Sequence, residues 1–292
     1  MKMTEKQAEM LLACVIAVRA SSFMFNKFLL AEMGVFNILG LRFLIAGVLL
    51  SLIFHKKLRA LKRTELLAGA VIGALFYGVI AVEMAATKMA DTSTVSLLEN
   101  CAVIIVPVYE ALLTRRLPDR KTALGVLLAF AGVVCLSLHH HSFSAGMLLA
   151  LLSAFIYAAA ILVTARLSRR DCDPLTVGVV QVVTLGVLGM LSSFLFETPT
   201  LPSSAVNWLR VLWLACVCAG FGFTLQPLAQ RNISSAARAG TFCAMSPATA
   251  TFLGVVVLHE TLGVAGVLGL ALILFSILLP HLRFGKKTEG AP

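Results

Sequence analysis

Residues 145–166 read AGMLLALLSAFIYAAAILVTAR, which places 21 uncharged and mostly apolar residues before the first charge at Arg166. A helix needs about 20 such residues to cross a bilayer, and the backbone must be helical there because lipid offers it no hydrogen bonds. Comparable runs fill almost the whole chain, so we predict an all-α membrane protein. We place its ten transmembrane helices at residues 8–30, 35–54, 66–87, 92–113, 122–138, 145–166, 175–196, 207–229, 236–258 and 262–281.

The composition agrees with this prediction. Hydrophobic residues make up 59% of the chain and charged residues 13%, with a mean hydropathy of +0.95. A soluble domain of this composition would aggregate. The connections between spans are short, and no short segments alternate between apolar and polar residues as membrane strands do. We therefore expect neither a separate soluble domain nor a β-barrel.

The basic residues predict the orientation. The net charge is +10, and with a cytoplasmic N-terminus 19 of the 24 Lys and Arg residues fall on the cytoplasmic side. Only Lys27, Lys88 and Arg210 fall in the opposite loops. Because basic loops stay in the cytoplasm, we predict a multi-pass protein of a bacterial plasma (inner) membrane with both termini cytoplasmic. Nucleic-acid binding is disfavoured, since the charges are spread over loops and do not form one basic surface.

The second half of the chain repeats the first in hydropathy. Residues 90–138 align without gaps on residues 234–282, and this alignment pairs Gly125 with Gly269. The basic loop at residues 115–121 corresponds to residues 259–265, which contain no Lys or Arg. Because each half holds an odd number of spans, we predict two inverted five-helix repeats, residues 1–141 and 142–292, as in many secondary transporters. The alternative is ten helices without symmetry.

Two segments carry a family resemblance: LRFLIAGVLL at residues 41–50 and SPATATFLGVVVLHETLGVAGVLGLALILFSILL at residues 246–279. In the second segment, Pro247, Glu260 and Gly269 follow the spacing of the EamA family of the drug/metabolite transporter superfamily, which the chain resembles over its full length. In the first half Arg116 stands at the position of that Glu. The resemblance implies a ten-helix carrier that moves small metabolites, often exporting amino acids, without ATP. The chain also lacks a Walker A motif.

Four ionisable residues lie inside the predicted spans: Arg19, Arg42, Glu83 and Glu99. Charges at this depth are costly and usually face a cavity or a partner. They could form two structural ion pairs. Alternatively, they could bind a zwitterion, with Arg contacting its carboxylate and Glu its ammonium group. Glu83 and Glu99 are also candidates for proton coupling, because burial favours a neutral carboxyl group while a nearby Arg favours the charged one.

Further candidates for substrate binding surround these charges. Asn100 lies beside Glu99, and Pro107 predicts a kink in the same helix. A ligand wall on the first helix would combine Arg19 with residues on the same face. Polar residues in other spans are as typical of interhelical hydrogen bonds as of ligand sites. The additional candidates are Asn100, Phe23, Asn26, Tyr77, Tyr157, Gln181 and Gln226.

The remaining motifs indicate no catalytic, metal or cofactor site. The seven cysteines include no CxxC pair, and the histidines at residues 139–141 have no further ligands nearby in the sequence. We therefore expect a secondary transporter that works by alternating access and exports amino acids or related zwitterions. The alternatives are an organic-cation, choline-like or drug transporter and, more remotely, an intramembrane enzyme. The expected partners are the substrate, the lipid bilayer and, with proton coupling, protons; the sequence leaves monomer and homodimer open.

Overall fold

The computed structural model describes residues 4–115, 120–139, 144–167, 172–223, 225, 229, 245–261 and 263–279. These ranges are helical and contain no strand. A π-helical segment, Trp213–Phe221, continues α10. The helices are α1 (Glu5–Leu29), α2 (Val35–Ile53), α3 (His55–Leu58), α4 (Arg63–Met89), α5 (Thr92–Asn100), α6 (Ala102–Thr114), α7 (Arg120–His139), α8 (Ala145–Leu167), α9 (Pro174–Phe196), α10 (Ala205–Leu212), α11 (Met245–Val257) and α12 (Val264–Leu278).

Six segments are long and apolar enough to cross a membrane. They coincide with the first four, the sixth and the seventh predicted spans. The four remaining predicted spans correspond to shorter apolar helices within the described ranges, and parts of the eighth and ninth lie outside those ranges. The all-helical, multi-pass character of the chain is therefore confirmed, while the count of ten helices stays a prediction.

The fourth predicted span is interrupted at Cys101, between α5 and α6, and Pro107 lies inside α6. The side chain of Asn100 donates a hydrogen bond of 2.7 Å to the carbonyl oxygen of Ser96. It competes there with the amide of Asn100 itself, which uses the same carbonyl in an α-helix. The amide of Cys101 bonds to the carbonyl of Leu98, three residues earlier, whereas an α-helix would use the carbonyl of Leu97. The break thus precedes the proline at which the sequence predicts a kink.

The predicted eighth span contains a wide helical turn. The amide of Gly222 reaches the carbonyl of Val217, five residues earlier, as in a π-helix. Such turns add a residue to one helical repeat and change the face on which the following side chains lie. Cys218, within this segment, and Phe223, directly after it, both line the cavity described below.

Glycines bring α2 and α9 into backbone contact. A β-carbon on Gly40 would lie 2.6 Å from the amide nitrogen of Met190, and one on Gly189 would lie 2.6 Å from that of Gly40. Small residues at such crossings let membrane helices approach closely and gain van der Waals contact. Fully buried Leu39 and Leu185 extend the packing on either side. The α2–α9 pair therefore forms a rigid part of the core.

A second close crossing joins α7 to α12. A β-carbon on Gly132 would lie 2.9 Å from the carbonyl oxygen of Gly269, and one on Gly125 would lie 3.4 Å from that of Ser276. This pair packs through the buried side chain of Ile273. The helices thus contact each other along small residues and leave large apolar side chains such as Phe130 exposed, as lipid-facing positions require.

Candidate functional site

A cavity of about 370 Å³ lies among helices from both halves of the chain. This volume is at the small end of the range of ligand pockets, about 300 to 1,000 Å³. Residues from α1, α2, α4, α5, α6, α8, the π-helical segment and α11 line it. Its polar wall consists of Arg19, Ser22, Arg42, Glu83, Glu99, Asn100, Tyr157, Cys218 and Ser246.

Two arginines line the cavity. Arg42 is 5% exposed, and its Nη1 donates a hydrogen bond of 2.9 Å to Oδ1 of Asn26. The Cζ atom of Arg42 lies 4.6 Å from the ring centre of Phe43, and that of Arg19 lies 5.0 Å from the ring centre of Phe223. Both distances fall within the range of cation–π attraction. The aromatic rings thus hold both guanidinium groups at the cavity wall.

The arginine Arg42 keeps unused hydrogen-bonding capacity. Its Nε atom and the Nδ2 atom of Asn26 are buried, and neither has a hydrogen-bond partner among the described residues. Buried donors without acceptors are costly. An acceptor such as a carboxylate would stabilise this arrangement if a small movement brought it into reach.

Two glutamates also line the cavity. Glu83 is 7% and Glu99 8% exposed, and both carboxylates line the cavity. Within the described ranges no residue donates a hydrogen bond to either carboxylate or forms an ion pair with it. Both carboxylates thus line the cavity together with the guanidinium groups of Arg19 and Arg42.

Four aromatic rings pack in a row along the cavity wall. Phe43 and Phe223 pack edge to face with ring centres 6.0 Å apart. Phe223 packs in the same way on Phe76 at 6.2 Å, and Phe76 on Tyr157 at 5.7 Å. All four residues line the cavity. Edge-to-face packing fixes the rings and leaves part of their π faces available to a ligand.

The structure brings together seven of the candidates that the sequence indicates. Three others lie away from the cavity wall: Asn26 supports Arg42, the Tyr77 hydroxyl bonds to that of Ser192, and Gln181 is buried in α9. Gln226 lies outside the described residues. The seven candidates at the cavity are Arg19, Phe23, Arg42, Glu83, Glu99, Asn100 and Tyr157.

Sequence reasoning missed Phe43 and Phe223, which contact the arginines. Phe43 directly follows Arg42, but successive helical residues point in different directions, so the sequence gives no sign of the contact. Phe223 depends on the π-helical turn, which has no sequence signature. With 18 Phe residues in the chain, no single one stands out. In the part of the chain that the structure describes, no group of three or more His, Cys, Asp or Glu residues could hold a metal.

Sequence and structure comparisons identify the family. The model of the EamA-like transporter family matches residues 7–138 and again residues 144–280. The uncharacterized transporter YetK of Bacillus subtilis (strain 168) is 25% identical over 297 residues, which cover 96% of this chain and 88% of YetK. A crystal structure with 20% sequence identity superposes with a TM-score of 0.64, covering 93% of this chain and 96% of that chain, and so shares the fold. The chain therefore belongs to the EamA-like transporter family of the drug/metabolite transporter superfamily.

Proposed function

We propose that the protein is a secondary transporter that exports amino acids or related small zwitterions. The observation that carries this proposal is one cavity lined by two arginines, Arg19 and Arg42, and two glutamates, Glu83 and Glu99. With all four groups ionised their charges cancel, so a zwitterion adds no net charge to the site. An ion of single sign would add a net charge to the site, which is costly in a medium of low dielectric constant.

The substrate carboxylate would bind Arg19 and Arg42, and the substrate ammonium group would bind Glu99 and Glu83. A guanidinium group matches a carboxylate with two parallel N–H donors. The carboxylates of Glu83 and Glu99 accept no hydrogen bond from the residues that the structure describes, and an ammonium group would bind to their acceptor sites. Asn100 and Tyr157 offer further hydrogen bonds on the same wall.

We further propose alternating access between two inverted repeats, residues 1–141 and 142–292. Two observations support this architecture. The family model matches the chain twice, once within each of these ranges. The crossing of α7 and α12 is also reciprocal: under the pairing of residues 90–138 with 234–282, the Gly125–Ser276 contact corresponds to the Gly269–Gly132 contact. A twofold relation between the two helices produces this reciprocity, and these helices would support the moving bundle from outside.

The second candidate is a carrier of organic cations, including choline-like or drug molecules. The chain of rings from Phe43 to Tyr157 favours it, because aromatic faces attract quaternary ammonium groups. Such a carrier would use Glu99 and the rings, and the arginines would be structural. In either case we propose Glu83 and Glu99 as the carriers of a coupling proton, since each can alternate between binding a proton and binding a substrate cation.

The family and the name of YetK indicate a transporter and not an enzyme. We propose a bacterial inner-membrane location with both termini cytoplasmic, supported by the excess of basic residues in alternate loops.

Transport by purified protein in liposomes tests the proposal. We would measure the exchange of a radiolabelled neutral amino acid, a choline-like cation and an anionic metabolite at two pH values. The proposal predicts exchange of the amino acid and its loss in Arg19→Ala. The matched control is Tyr77→Phe, which lies outside the cavity and removes only the hydroxyl that bonds to Ser192. Exchange of the cation alone, unaffected by Arg19→Ala, would support the second candidate instead.

A further inference from the structure

Two glutamates of the second half cap the N-termini of helices in the first half. Glu260, which follows α11, accepts hydrogen bonds from the amides of Thr92 and Ser93 at 2.6 and 3.0 Å and from the Ser93 hydroxyl at 2.6 Å. Glu197, which follows α9, accepts bonds from the amides of Phe36 and Asn37 at 3.2 and 2.9 Å. A carboxylate at a helix N-terminus satisfies free amides and interacts favourably with the helix dipole.

A glycine makes room for each of these carboxylates. A β-carbon on Gly254, in α11, would overlap the Glu260 carboxylate, and one on Gly34 would overlap the Glu197 carboxylate. Neither glycine has a positive φ angle, so alanine fits the backbone at both positions. Each cap is thus a glutamate carboxylate that needs the space left by a nearby glycine, so one cap can serve as the control for the other.

The caps differ in what they hold. Glu197 joins α9 to α2, two helices whose backbones already touch at Gly40 and Gly189. Glu260 joins α11 to α5, a nine-residue helix that ends at the break at Cys101. Glu99 lies on the last turn of α5 and faces the cavity. At 1.5 Å per residue, the cap and the carboxylate of Glu99 are attached to the two ends of a helix about 13 Å long.

The capped end of α5 lies at one end of the helices and is tightly packed. We call this end, where α1 and α4 terminate and α2 and α5 begin, the cap end. Thr92, Ser93 and Ser96 are at most 1% exposed, so α5 is packed on all sides above Glu99. Lys27, on the last turn of α1, donates hydrogen bonds to the carbonyls of Thr87 and Ala90 beside it. In the predicted topology the cap end faces outward.

We propose that Glu260 is a positioning residue that holds α5, and with it Glu99, in the cavity-facing position. Loss of its hydrogen bonds lets α5 pivot at Cys101, which opens the cavity at the cap end and withdraws Glu99 from the substrate. Glu197 has no such role, because the α2–α9 crossing keeps its two helices together without it. This inference rests on the transport function proposed above for the importance of Glu99, but the opening of the cavity does not depend on the substrate.

The reactivity of Cys218 measures that opening directly. Cys218 lines the cavity and is 6% exposed. In a variant that retains only this cysteine, a charged, membrane-impermeant maleimide would be added from the cap end of oriented vesicles. We expect slow labelling of the parent protein and labelling at least about tenfold faster in Glu260→Gln, since loss of a charge-assisted hydrogen bond shifts a two-state equilibrium by about that factor.

Gly254→Ala displaces the same carboxylate without changing its chemistry, and it raises helix propensity. If Glu260→Gln fails to fold, the labelling rate of Gly254→Ala therefore shows whether loss of the cap opens the cavity. The controls are Glu197→Gln and Gly34→Ala, for which labelling at the parent rate is expected. Unchanged labelling in the Glu260 and Gly254 variants would overturn the inference. Equal acceleration in the Glu197 and Gly34 variants would also overturn it, because both caps would then act as general seals.

Transport kinetics separate positioning from mere stability. We expect Glu260→Gln to raise the KM for the zwitterion about tenfold in folded protein. Glu260→Asp keeps the charge, so its KM should lie between those of the parent protein and Glu260→Gln. Labelling changes without any zwitterion transport by the parent protein would refute the proposed substrate and leave the role of Glu260 supported. Zwitterion transport by Glu260→Gln with the KM of the parent protein would support the proposed substrate and refute the positioning role of Glu260.

Discussion

The Nη1 atom of Arg42 donates a hydrogen bond of 2.9 Å to Oδ1 of Asn26, a residue that is 1% exposed and lies outside the cavity wall. Asn26 thus orients a charged side chain that the cavity presents to a ligand. On α1, the helical spacing of Arg19, Phe23 and Asn26 suggests one ligand wall. The structure divides this set, because Arg19 and Phe23 line the cavity and Asn26 supports Arg42 from behind.

Removal of this support should weaken substrate binding. We expect Asn26→Ala to raise the KM for a zwitterion about tenfold, because the Arg42 guanidinium loses a hydrogen bond to a buried acceptor, a contact of about 1.5 to 3 kcal/mol. Initial rates of exchange in liposomes measure the change. Asn26→Asp is the informative comparison, since it keeps the acceptor and adds a charge beside Arg42. A KM equal to that of the parent in Asn26→Ala would show that Asn26 has no influence on the site.

Replacement of Arg19 tests the carboxylate site. Arg19→Ala should lower Vmax/KM for a zwitterion at least about a hundredfold, and Arg19→Lys should restore little of it, because a lysine lacks the planar pair of N–H donors. Exchange assays with both variants, each checked for a monodisperse elution profile, give the comparison. Full activity of Arg19→Lys would indicate that only the charge matters.

The α2–α9 crossing predicts a large effect on stability from one methyl group. Gly189→Ala places a β-carbon 2.6 Å from the backbone of Gly40, and we expect a loss of about 1 to 3 kcal/mol from overpacking. The matched control is Gly78→Ala in α4, where no atom lies within 4 Å of the added carbon. That variant should be neutral or more stable, since alanine favours helix formation by about 1 kcal/mol over glycine. Thermal unfolding in detergent distinguishes the two, and equal Tm values would contradict the close crossing.

The N-cap of α9 predicts a weak acid sensitivity. Burial raises the pKa of Asp173, but hydrogen bonds from Lys57 and Thr176 and the charge of Lys57 outweigh it, so its pKa lies below the ordinary value. A lowered pKa means that the ionised form stabilises the fold. This contribution is fully present above the ordinary pKa of about 3.9 and disappears as the pH falls through the lower folded-state value.

We therefore expect Asp173→Asn to reduce Tm slightly at pH 7, and we expect this reduction to shrink as the pH falls below the ordinary pKa of an aspartate. The effect is small because the Lys57–Asp173 pair, 2.8 Å apart, is 45% and 37% exposed at its two side chains. Tm values of both proteins across this pH range measure it. A difference that grows as the pH falls would show that the sign is wrong.

Hydropathy alone predicts much of this fold, since long apolar runs in lipid can only be helices. It does not predict the interruptions. The break lies at Cys101, directly after Asn100, whose side chain bonds back to the carbonyl of Ser96, whereas the sequence draws attention to Pro107. The π-helical turn before Phe223 leaves no trace in hydropathy, because it depends on how the surrounding helices pack.

The candidate site is predictable where charge is the signal. Arg19, Arg42, Glu83 and Glu99 stand out because charges are rare in membrane spans, and all four line one cavity. The aromatic residues Phe43 and Phe223 and the cap at Glu260 are not predictable in the same way. Their roles depend on contacts between helices far apart in the sequence, and local sequence patterns do not predict such contacts.

The most direct test of the central claim compares a zwitterion with its two halves. We would record exchange, in liposomes containing the purified protein, of a neutral amino acid, the amine that lacks its carboxylate and the acid that lacks its amine. We predict exchange of the amino acid, exchange at least about tenfold slower of each half, and loss of the amino-acid signal in both Arg19→Ala and Glu99→Gln. Equal or faster exchange of the amine, with Arg19→Ala fully active, would contradict a site that binds both charges.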